Sequence, residues 1–114
     1  MRILFDSKKK IFKDPFGTLC EGQECTLHIH IPQDVGALKA ECMLFADDGS
    51  DAVIVTMEKS SEIGAYDIFE GSFSLEHPAL YFYHFVIYKE NGSFRLFKYG
   101  NDTNMEAGEQ WQLL

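Results

Sequence analysis

Residues 24–32 read ECTLHIHIP, and their alternation limits what the chain can fold into. Cys25, Leu27, Ile29 and Ile31 fall on one face of an extended chain, Thr26, His28 and His30 on the other, and Pro32 stops the run. That period of two predicts a half-buried antiparallel strand. After the linker QDVGA, LKAECMLFA repeats the pattern, with Ala40, Cys42, Leu44 and Ala46 on one face and Met43 and Phe45 on the other. DDGSD then makes a turn, because Asp and Gly tolerate left-handed backbone angles. AVIVTMEK is a further strand, broken by SSEIG, and AYDIFEGSFSLEHPA reads as a strand bulged near Gly71 followed by a corner. No helical period of useful length appears.

LYFYHFVIYKE is the longest strand, and Asn91-Gly92 after it is a strong hairpin signal that SFRLFKYG answers as the return strand. Tyr81, at the strand's start, fits a corner tyrosine whose hydroxyl bonds back to upstream main chain. Tyr83, Phe85 and Ile87 then point inward with it, and Leu80, Phe82, His84, Val86 and Tyr88 face the other way. About seven to eight short strands with regular turn signals predict an all-β, immunoglobulin-like antiparallel sandwich. A closed barrel is the alternative architecture.

At 114 residues the chain has room for one domain, residues 1–114. A domain of that size buries roughly two-thirds of its unfolded surface, enough for a core without staples. The net charge of -8 repels phosphate backbones, and Lys8-Lys9-Lys10 is too short a basic run to offset it, so nucleic acid is excluded as a partner. No apolar stretch reaches the roughly 20 residues of a membrane helix. The N-terminus MRILFDSKKKIF lacks the apolar centre of a signal peptide, which points to a cytoplasmic chain. Cys20, Cys25 and Cys42 form no CxxC pair; free buried thiols are expected, a Cys20–Cys25 bridge or a zinc site with His28 and His30 being the lesser readings.

Catalytic signatures are missing: there is no Gly-x-Ser-x-Gly, no phosphate-binding glycine loop and no His-Glu-x-x-His. Cys25 and Cys42 lie on apolar strand faces, where a thiol is inert. The carboxylate pairs Asp47-Asp48 and Glu58–Glu62 sit in turns or at strand ends, where solvated acids are routine. Calcium at Asp47, Asp48 and Asp51 is a lesser reading, since hard cations take several oxygens from one loop, but the EF-hand spacing is absent. We therefore expect no catalytic residue, metal or cofactor. Aromatic side chains, 14% of the chain, are the one enriched chemistry. Tyr66, Phe69, Phe82, Tyr88, Phe97, Tyr99 and Trp111 are candidates for stacking on a sugar or packing at an interface, core packing being the bland reading of each.

In their order, these segments resemble the N-terminal immunoglobulin-like domain of the α-amylase superfamily, glycoside hydrolase family 13. Within it the likeness is to neopullulanases, cyclomaltodextrinases and maltogenic amylases. ECTLHIHIP preceded by Glu21-Gly22, then MLFADDG, VIVTMEK, YDIFEGSFSL, LYFYHFVI, YGND and GEQWQLL carry the likeness across nearly the whole chain. Each motif is weak alone, and their order and spacing together are fairly specific. The resemblance implies a domain related to carbohydrate-binding module family 34, with a catalytic (β/α)8 barrel expected downstream of Leu114. None of the family's catalytic motifs lies in these residues. It implies as partners the chain's own catalytic domain, a second subunit in a homodimer whose substrate cleft the domain narrows, and α-glucan. A single Trp, where starch-binding surfaces use several, favours the dimerising and cleft-shaping role over autonomous glucan binding. A generic immunoglobulin-like interaction domain is the further alternative.

Overall fold

The computed structural model describes residues 2–15, 22–49, 52–75, 80–99, 102–105 and 110–113, with main chain alone at 99, 102–105 and 112–113. Among the described residues there are nine strands: β1 (Lys13–Asp14), β2 (Glu24–Pro32), β3 (Ala37–Ala46), β4 (Val53–Ile63), β5 (Tyr66–Ser74), β6 (Tyr81–Lys89), β7 (Gly92–Tyr99), β8 (Asp102–Met105) and β9 (Trp111–Leu113). The excess over the expected seven to eight comes from the two shortest pieces, β1 and β9. All pairings are antiparallel, and hydrogen bonding runs in the order β1-β2-β5-β4-β3-β6-β7-β8, with β9 added to β6. Among the described residues this path does not close on itself, so the arrangement is the all-β sandwich rather than the barrel.

β4 joins the layers. Its first half pairs with β3, from Val53 opposite Leu44 to Met57 opposite Ala40. Its second half, Glu58 to Ile63, pairs with β5. The register slips between Lys59 and Ser61, and the Ser60 hydroxyl donates to the Ile68 carbonyl at 3.3 Å. The expected break at SSEIG therefore falls later, at Gly64, whose φ of 58° turns the chain into β5. The serines mark a bulge within the strand, which bends it from one layer into the other. Where β5 passes this crossing, Gly71 is required by space: a Cβ there would lie 2.8 Å from Met57 Cγ and 3.0 Å from the Thr56 carbonyl. Between β6 and β7 the Asn91-Gly92 signal holds, with Lys89 paired to Gly92 across the turn.

Alternation decides the core. Cys25, Leu27, Ile29 and Ile31 of β2 face Ala40, Cys42 and Leu44 of β3, and Tyr83, Phe85 and Ile87 of β6 join them, all fully or almost fully buried. Tyr81 is buried on the same side, while the upstream main chain at 76–79 lies outside the described residues. One end of the core is aromatic. Phe5 packs edge-on against Phe85 (4.8 Å between ring centroids) and Trp111 (5.1 Å), and Trp111 stacks on Tyr83 at 5.7 Å. The N-terminal segment reaches this cluster because Leu4 exchanges main-chain hydrogen bonds with His30 beside β2.

Three protonated groups are locked into this interior. Burial pushes the Cys42 thiol well up, with Cys25 adding to it. Burial also raises Cys25, against the pull of Lys13, and raises the Tyr83 phenol well above its usual range. The folded state holds these protons longer than the unfolded chain does. Their stabilisation is therefore complete below the unfolded thiol range and is lost as pH rises through about 8.5 to 10. Buried Lys13, lowered by desolvation, works the other way, its contribution growing as pH rises from its lowered value towards 10.5. We expect the urea midpoint to fall between about pH 8.5 and 10, and Cys42→Ala to flatten that fall; a midpoint that climbs over the interval would contradict the assignment.

Candidate binding face

The outward side chains of β6 and its neighbours build the candidate surface. Because neighbouring strands are in register, Phe82 lies opposite Phe45, His84 opposite Met43, Val86 opposite Glu41 and Tyr88 opposite Lys39. β4 adds Ile54 beside Met43, and β7 adds Arg95 beside Val86. The face is thus graded: apolar and aromatic at the Phe45–Phe82 end, charged at the Lys39–Tyr88 end. Ile54 is 55% exposed and Phe45 38%, a high exposure for large apolar side chains sharing one face.

His84 sits at the centre and is only 9% exposed. Its ring lies between Phe45 (5.8 Å, 12° between planes) and Phe97 (4.9 Å, 25°). The imidazole Nδ1 is 3.0 Å from the Gln110 side-chain oxygen, which fixes Nδ1 as the donor. Cross-strand side chains stand upright on a sheet, so three rings stacked in a row turn their edges, not their faces, to solvent. Both faces of His84 are already covered. Tyr88 is likewise engaged: its hydroxyl donates to Glu41 at 2.5 Å, and the Lys39 ammonium lies 4.7 Å above its ring. That hydrogen bond to Glu41 is the main cause holding the Tyr88 phenol above its usual range, with a smaller contribution from desolvation.

Of the aromatic residues singled out in the sequence, Phe82, Tyr88 and Phe97 come together on this face. Tyr99 follows on β7, its main chain paired with Asp102 and its side chain outside the described set. Tyr66 lies on the other layer, 6.4 Å from His30 between ring centroids. Phe69 and Trp111 are buried in the core, at 0% and 3% exposure. Phe45, Ile54, Met43 and His84 are the members that sequence reasoning did not name as site residues. The alternation of β3 already turned Met43 and Phe45 outward; what it lacked was the register that lays them beside β6.

The opposite outer surface carries polar cross-strand pairs, Thr26 with Ser72 at 2.9 Å and His28 Nε2 with Glu70 at 2.7 Å, while His28 Nδ1 is buried without a hydrogen-bond partner among the described residues. His30 is covered by Phe12, 4.6 Å away, and burial holds its imidazole below the usual range, with His28 reinforcing the effect. Among the described residues no three His, Cys, Asp or Glu side chains are placed to hold a metal ion. Asp51 and Cys20, from the calcium and disulfide readings, lie outside the described residues. Cys25 and Cys42 are buried free thiols, raised in pKa and so poor nucleophiles. Glu62 pairs with Lys59, 2.5 Å away at the exposed end of β4.

No family model matches the chain, and no curated protein matches its sequence. Among solved structures, a cyclomaltodextrinase shares the fold over 97% of this chain, with a TM-score of 0.71 and 14% identity. The likeness at that identity is one of fold, and the chain spans only 18% of the length of the cyclomaltodextrinase it matches.

Proposed function

We propose that this chain is a non-catalytic N-terminal accessory domain of an α-glucan-acting glycoside hydrolase. In this reading the graded face on β3, β6 and β7 packs against another protein surface, either the downstream catalytic domain or a partner subunit. There it contributes to dimerisation and to the shape of the substrate cleft. The observation that carries the proposal is the fold likeness to cyclomaltodextrinase over nearly the whole chain. The exposed Phe45 and Ile54 around a covered His84 support the docking role, because apolar edges suit a dry protein contact better than a sugar.

The native polypeptide carrying residues 1–114 tests it. Its hydrolysis of β-cyclodextrin is expected, and a polypeptide without glycosidase activity would sink the proposal. Within an active enzyme, the double substitution Phe45→Ser and Ile54→Ser should lower the sedimenting mass or raise KM for cyclodextrin. Each change alone should alter the stability of the isolated domain by only about 0.5 kcal/mol, as at other exposed positions.

Autonomous α-glucan binding is the second reading, favoured by the concentration of Phe82, Tyr88 and Phe97 on one surface. Affinity electrophoresis on soluble starch separates the two. We expect migration of the isolated domain to be unretarded, since the stacked rings around His84 turn their edges to solvent; retardation that Phe97→Ala abolishes would establish the binding module instead.

A further inference from the structure

We draw no further inference here: the strongest candidate, the apolar outer face of β3, β6 and β7 around His84, belongs to the surface already described, and nothing in the structure shows what covers it.

Discussion

Replacing Tyr83 with alanine should lower the unfolding free energy by about 3–5 kcal/mol, as for large aromatics removed from a core. Tyr83 is 1% exposed and touches Phe5, Phe85 and Trp111, so the cavity would be lined by rings that the surrounding strands hold in place. Two companions give the measurement its meaning. Tyr88→Ala, five residues along β6 and on its opposite face, should cost about 1 kcal/mol, the worth of a half-exposed hydrogen bond. Tyr83→Phe should stay within about 1 kcal/mol of neutral, because the buried hydroxyl lacks a partner in hydrogen-bond geometry. Urea midpoints with an unchanged slope decide the series. A harmless Tyr83→Ala beside a damaging Tyr88→Ala would mean that β6 is turned over.

The second large effect is expected at Trp111. Trp111→Ala should also cost about 3–5 kcal/mol, although β9 is only a three-residue strand. Three contacts justify that figure: the stack on Tyr83 and the edge contacts with Phe5 and Phe85, the last at 5.4 Å. Phe5 and Trp111 come from opposite ends of the described chain, so their interaction can be isolated by a double-mutant cycle. Combining Phe5→Leu with Trp111→Ala should reveal a coupling of roughly 0.5–1.5 kcal/mol, the range for aromatic pairs. Strict additivity would show that the two rings act on the core independently.

The layer architecture was legible because alternation is a local property. Cys25 through Ile31 and Tyr83 through Ile87 declare their buried face by their own order, and both faces are as expected. Events that depend on a partner strand were not legible. The bend of β4 occurs where Ser60 finds the Ile68 carbonyl, and a pair of serines looks locally like a strand end. The candidate face shows the same limit. Phe82, Tyr88 and Phe97 could be named one by one as aromatic, whereas the stack of Phe45, His84 and Phe97 exists only after three strands are aligned. Trp111 and Phe69 looked equally available in the sequence, and only tertiary packing separates them from the surface set.

The contact between Phe5 and Trp111 also sets a clock on biosynthesis. At the usual translation rate of about 5–20 residues per second, roughly 5–20 s separate the appearance of these two rings. Once Tyr83 and Phe85 have been made, roughly 1–6 s pass before the indole that closes over them and Phe5 appears, and for that time the nascent chain lacks the ring that seals one end of its core. The delay is set by synthesis order: Trp111 follows Phe5 by 106 residues. A chain released before residue 111 would remain in that sticky, unsealed state.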